Sequence, residues 1–263
     1  MIDFLQYGFM QRAIIAGIMI SIITALVGIF LVQKRLSLIG DGLAHAAFGG
    51  IAVGFLLNIN PLATGIIFSL LGSLGIQRLI EKTKSYGDSA IALVLAGGMA
   101  IAIVIIGHVR GFNANLFSYL IGSILSISEF DLLLLGLVLA AVLLFVAFFH
   151  KQLLFTILNE DLARLSGINV PLLNSALIVI TAITTVIAIR AVGILMVTGL
   201  IVIPALTAFQ LAKSFRESAV YAVAMSLFCV LAGIAMAFIF DLPPSGVIIL
   251  AMLGVFSLSL VKL

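Results

Sequence analysis

Charge is scarce in this sequence. Of 263 residues only 9% are Asp, Glu, Lys or Arg, while 64% are apolar. A water-soluble domain could not cover its surface from that supply, so the soluble classes are excluded. A single cysteine, Cys229, excludes both a disulfide framework and a thiolate cluster. Its place inside an apolar run reads as a small buried side chain. There is no G-x-x-x-x-G-K-[ST] loop, so the chain does not bind ATP through one. Neither an H-E-x-x-H helix nor a G-x-S-x-G elbow occurs. The ten-residue alternation of a membrane β-barrel is missing as well. No repeat of 20–50 residues, low-complexity run or long linker divides the chain, which reads as one domain over 1–263.

What is present is apolar sequence in long blocks, with a mean hydropathy of +1.40. Runs at 13–32, 37–57, 62–80, 89–107, 131–149, 171–189, 192–211, 218–240 and 245–261 make nine candidate helical spans. The pair 171–189 and 192–211 is separated by little more than Arg190; if one of them is broken or re-entrant, the count is eight. Residues 1–12 read as a short interfacial helix, with no basic start to make them a signal peptide. The fold class expected is all-α and polytopic, embedded in a lipid bilayer.

Orientation follows from the cations. An outer N-terminus leaves only Arg12, Arg110 and Arg190 outside and puts the other ten of 13 Lys and Arg on the cytoplasmic side. The basic pI of about 9.2 therefore reflects membrane orientation and not nucleic-acid binding. On the outer side, 112–127 is too short to cross and is expected to form a re-entrant or interfacial helix. On the cytoplasmic side, 150–170 reads as a short helix. Asn159 suits its N-cap, Glu160 and Asp161 its first turn, Gly167 its C-terminal cap, and Pro171 the start of the next span. It is either a connector on the membrane surface or a docking helix for a cytoplasmic partner.

The stretch 37–57, SLIGDGLAHAAFGGIAVGFLL, carries the chemistry. Asp41 and His45 sit in a span where each ionisable group costs roughly 2–4 kcal/mol, so such groups usually mark a pathway. Their i, i+4 spacing stacks them on one helix face. Small residues at 40, 42, 44, 46, 47, 49 and 50 let other helices approach closely. At about 1.5 Å per residue from Arg35, Asp41 lies roughly 9 Å in and His45 roughly 15 Å. One oxygen and one nitrogen cannot hold a metal alone. Two copies about a two-fold axis would supply four ligands, which suits zinc, or manganese with added waters. The competing reading is a buried pair that only ties helices together.

Elsewhere the signals are local. His108 and His150 read as wetted interfacial anchors, Asp88 as an N-cap and Asp241 in DLPPSG as turn chemistry. Pro204 is expected to kink its span.

The motif GDGLAHA, at Gly40, Asp41, Leu43, Ala44, His45 and Ala46, resembles the GD-x-[LI]-[SA]-HA motif of bacterial zinc and manganese ABC importer permeases. Further likeness lies in LFSYLIGSILSIS on the outer side, EDLARLSGI (160–168), AVGILMVTGLIVIPALTA (191–208) and DLPPSGVII (241–249). The family also has members described for iron. The resemblance implies a homodimeric pore in the bacterial cytoplasmic membrane. It also implies two separate ATPase subunits below the pore and a metal-loaded binding protein above it. It implies no resident cofactor, only transported Zn²⁺ or Mn²⁺, with GDGLAHA followed by NINPL closer to the zinc type. It carries metal contact onto Asp41 and His45. It carries ATPase contact onto Glu160, Asp161, Ala163 and Gly167, in the helix that also holds Asn159 and Arg164. Two other classes remain: a secondary carrier working without an ATPase, and an intramembrane metalloenzyme. Too few charged residues within the spans weaken the first, and the lack of a third strong ligand weakens the second.

Overall fold

The computed structural model describes residues 7–83, 87–108 and 119–261. Among them there is no strand. Every apolar run becomes a helix, because a backbone in hydrocarbon must satisfy its own hydrogen bonds. The helices are α1 (Gly8–Gln33), α2 (Ile39–Leu57), α3 (Pro61–Thr83), α4 (Gly87–His108), α5 (Glu129–Leu158), α6 (Glu160–Leu165), α7 (Val170–Val192), α8 (Ile194–Leu211), α9 (Phe215–Phe240) and α10 (Pro244–Val261). Eight of them are long and apolar enough to cross a membrane. The 18-residue α8 occupies the remaining run.

The core sits around α1, α2 and α7, each of which has most of its apolar length buried within the chain, whereas α5 is nearly bare. In a bilayer that bare surface costs nothing, since lipid tails are as apolar as leucine. Burial therefore follows helix contacts: α2 packs on α3, α4, α7 and α8, and α1 on α5, α8 and α9. Close approach depends on missing side chains. A Cβ on Gly49 would lie 2.7 Å from the Gly98 carbonyl oxygen of α4, and one on Gly28 would collide with the Ile201 carbonyl of α8. The hydroxyl of Ser69 on α3 reaches the carbonyls of both Leu43 (3.4 Å) and Ala182 (3.4 Å), tying α2, α3 and α7 together.

Several expectations are corrected. Of the interfacial helix expected at 1–12, residues 1–6 lie outside the described residues; from Gly8 the rest form the first turns of α1, whose 26 residues span about 39 Å. Asp88 is not a cap but the second residue of α4, where the helix dipole still favours a carboxylate. The cytoplasmic stretch from 150 is mostly helix, since α5 runs on to Leu158 before Asn159 breaks it. Of the outer stretch, residues 112–118 lie outside the described residues. The rest is a helical turn at 119–121, the left-handed Gly122 and a 3-10 turn at Ile124–Ser126. This corner packs against Gly193, also at positive φ, and a side chain on either glycine would collide with the other segment's backbone.

That outer corner is pinned by charge. The Arg190 guanidinium at the end of α7 pairs with Asp131. Asp131 also accepts from the Ser128 hydroxyl at 2.7 Å in a capping box at the start of α5. Ser123 N–H donates to the Arg190 carbonyl (3.3 Å). Arg12 on α1 donates to the Ile127 carbonyl at 3.1 Å.

Candidate metal site and coupling helix

The depth of Asp41 and His45 can be read from the packing. Gly40 lies against Ile201, which lies against Gly28, five residues or about 7.5 Å from the cytoplasmic end of α1. Asp41 thus sits near that end of the helix bundle, and His45 about one turn further along α2.

The face they occupy is decided by their neighbours. Gly42 and Gly49 press on α4, Leu43 and Gly50 on α3, and Gly40 on Thr198 and Ile201 of α8. At about 100° per residue, the remaining flank of α2 is the one bearing Asp41 and His45. The Asp41 side chain is 33% exposed and that of His45 13%, so the pair opens to its surroundings instead of being sealed in the core. His45 Nδ1 lies 3.0 Å from the Asp41 carbonyl oxygen and 3.4 Å from its carboxylate. A carbonyl can only accept, so Nδ1 carries the hydrogen and the lone pair of a neutral ring is on Nε2. This is the arrangement that orients an imidazole as a metal ligand. Among the described residues, no three His, Cys, Asp or Glu side chains converge on one point, so the pair offers two donors and no more. One feature was not legible in the sequence: the Thr198 hydroxyl, buried without a hydrogen-bond partner among the described residues, faces α2 beside Gly40. A threonine in an apolar run carries no signal of its own.

The cytoplasmic helix forms as its punctuation suggests. Asn159 Oδ1 accepts from Leu162 N–H (3.0 Å), and Arg164 donates to Glu160 at 2.8 Å along the helix. Gly167, at φ +83°, ends it. Asn159, Glu160, Asp161, Arg164 and Gly167 are all exposed. Ala163 is not: it is fully buried within the chain. It seats α6 and cannot itself touch a partner. Sequence reading overlooked the apolar members. Leu158 at the end of α5 and Leu162 and Leu165 on α6 are 81%, 51% and 83% exposed, and leucines beside charged residues in so short a helix were the available signal.

Of the lesser candidates, His150 is exposed, its Nδ1 3.1 Å from the Ala147 carbonyl, and His108 ends α4 exposed. Asp241 caps α9 in the left-handed region, and Pro204 lies inside α8. Cys229 is fully buried.

Residues 6–262 match the family described as the ABC 3 transport family. Over 250 residues the chain is 29% identical to the high-affinity zinc uptake system membrane protein ZnuB of Haemophilus influenzae, covering 95% of this chain and 96% of that protein. It is 32% identical over 257 residues to a protein of the same organism named "Probable iron transport system membrane protein", with 97% and 94% coverage. It is 27% identical over 246 residues to the manganese transport system membrane protein MntC of Listeria innocua, with 94% and 88% coverage. Among solved structures, PsaBC from Streptococcus pneumoniae in complex with Fab superposes with a TM-score of 0.87 at 30% identity, covering 98% of this chain and 93% of that one.

Proposed function

Because the chain belongs to the ABC 3 transport family, we propose that this metal ABC importer permease passes Zn²⁺ into the cytoplasm. It is a multi-pass membrane protein; relatives named for zinc, manganese and iron fix the substrate class but not the metal. The observation that carries the zinc reading is the partly exposed Asp41–His45 pair on the open flank of α2, with Nδ1 engaged so that a neutral ring keeps its lone pair on Nε2. One permease domain over 1–263 forms a homodimer, and the two copies face each other with two carboxylates and two imidazoles. That set suits tetrahedral zinc; manganese would need waters to complete its shell. With no thiolate in the set, the ion is held weakly enough to leave, as a transport site requires.

The chain hydrolyses nothing. ATP is bound and cleaved by two copies of a cytoplasmic partner that dock on α6. Asn159, Glu160, Asp161, Arg164 and Gly167 give that surface its polar rim, and Leu162 and Leu165 give it an apolar centre. An extracytoplasmic binding protein delivers the metal to the outer corner. Transport then alternates the access of the Asp41–His45 stop.

Uptake of labelled zinc and manganese tests this, in cells carrying the chain with its ATPase and binding protein. Wild type is compared with His45→Ala and with an ATPase-dead partner. Zinc entry that requires both His45 and the live ATPase is the expected result. Entry with the dead ATPase would make the chain a secondary carrier. Entry through His45→Ala at the wild-type rate would make the pair structural, and a preference for manganese would overturn the zinc assignment.

A further inference from the structure

At the cytoplasmic root of the molecule, a cavity of about 330 Å³ lies where four parts of the chain meet. These are the α1–α2 turn, α3 at Ile80, the junction of α5 with α6, and α7 at Asn174. The glycine-mediated helix contacts elsewhere leave no such space, and here polar and charged side chains line the cleft. One side chain bridges it: Lys34, in the turn, donates from Nζ to Asn174 Oδ1 on α7 at 2.7 Å. Burial pushes the Lys34 amine below the ordinary lysine range, while the Glu160 carboxylate across the cavity pulls it back up. Glu160 belongs to α6 and is also the partner of Arg164.

The position of Lys34 matters because the turn it occupies leads directly into α2. Leu36 N–H closes on the Leu31 carbonyl (2.9 Å) with Arg35 at φ +59°, a Schellman-type turn that fixes the end of α1. Ile39 N–H then bonds the Leu36 carbonyl, and Asp41 N–H the Leu38 carbonyl, at 3.1 and 3.0 Å. The turn is thereby stitched to the first turn of α2, which bears Asp41. On the other side, α6 packs on α5 and α7. Between α6 and the metal helix lie α7, the α5–α1 contact and this turn, and at the turn the link is the Lys34 hydrogen bond to Asn174 beside the cavity.

We propose that Lys34 is the positioning residue that transmits movement of α6 to the Asp41–His45 helix, held to α7 by Asn174 and biased by the Glu160 charge. The inference rests on the permease reading above. Lys34 touches no metal; it acts by setting where α2 begins.

The test is the ratio of zinc imported to ATP hydrolysed by the complete complex, purified and reconstituted in liposomes with metal-loaded binding protein. Lys34→Met keeps the length of the side chain and removes its charge. It is expected to lower that ratio about tenfold, short of the roughly 100-fold that a 1 Å misplacement can cost, with ATP hydrolysis within about twofold of wild type. Lys34→Arg is expected to restore most of the ratio, and Asn174→Ala to lower it partway. A Lys34→Met complex with the wild-type ratio overturns the proposal. So does a parallel loss of transport and hydrolysis in proportion to lost folded protein in both Lys34→Met and Asn174→Ala, since that marks a structural role. Absence of ATP-driven uptake by wild type overturns the permease reading itself, and this inference with it.

Discussion

Two polar pairs near opposite ends of the helix bundle, Asp131 with Arg190 and Asp41 with His45, are built in opposite ways. At the outer corner, Asp131 is almost sealed and its oxygens are used by Arg190, the Ser128 hydroxyl and the Ser128 N–H (3.0 Å). At the other end, Asp41 is a third exposed, and of the His45 ring nitrogens only Nδ1 has a hydrogen-bond partner among the described residues. A low-dielectric setting penalises an unsatisfied charge heavily, so a pair that exists only to hold helices together is completed by its own chain. Under the proposed function, the partner that would complete the open pair is the transported ion.

Replacing members of each pair should separate the two roles. Asp131→Ala leaves the Arg190 guanidinium without its partner and removes the α5 cap, and should cost about 3 kcal/mol of stability. Cys229, fully buried, supplies the measurement: its labelling by a thiol reagent on heating reports loss of the fold. His45→Ala should leave that labelling midpoint within about 1 kcal/mol of wild type while zinc uptake falls about 100-fold. If the two variants behave alike, the contrast between a closed and an open pair is wrong.

The same contrast extends to apolar groups on α6. Leu165 is exposed at 83% and Ala163 is fully buried, two residues away. Leu165→Asp should weaken association with the ATPase about tenfold, measured by co-purification under increasing salt, with thermal labelling unchanged. Ala163→Leu should do the reverse, overpacking its seat and lowering the midpoint by about 1–3 kcal/mol. Equal effects on both readouts would show that α6 is a connector and not a docking surface.

The smallest effect expected concerns pH. Lys34 faces Glu160 across the cavity, with Arg35 on its own turn and Glu81, Asp161 and Arg164 around the adjoining cleft. Its lowered pKa means that it loses its proton before the exposed lysines as pH rises toward about 10.4. In that window the unfolded chain binds more protons than the folded one, so this group's contribution to stability rises with pH. Metal moved per ATP should fall over the same window, and should stay flat in Lys34→Arg. Coupling and stability that move together would place the pH effect elsewhere.

Much of this was legible in the sequence because membranes simplify the physics. Each apolar run had to be a helix, and α1 to α5 and α7 to α10 form at the expected places. Caps are local, so Asn159 and Gly167 could be placed from their neighbours alone, and Ser128 could have been. The Asp41–His45 stack follows from i, i+4 spacing. What was not legible depends on neighbours far along the chain. Arg190 finds Asp131 59 residues away, and Lys34 finds Asn174 at a separation of 140. Ala163 read as part of a surface because a single short helix does not announce which of its sides will be covered.

Composition and order of residues, by themselves, determined that this chain crosses a membrane as helices, with a carboxylate and an imidazole stacked in one span. Hydrophobicity and helical periodicity are properties of consecutive residues. Only the tertiary structure decided which flank of α2 stays open, which charge is sealed and where a cavity remains, because packing assigns each face of a helix to whatever helix the rest of the chain brings against it.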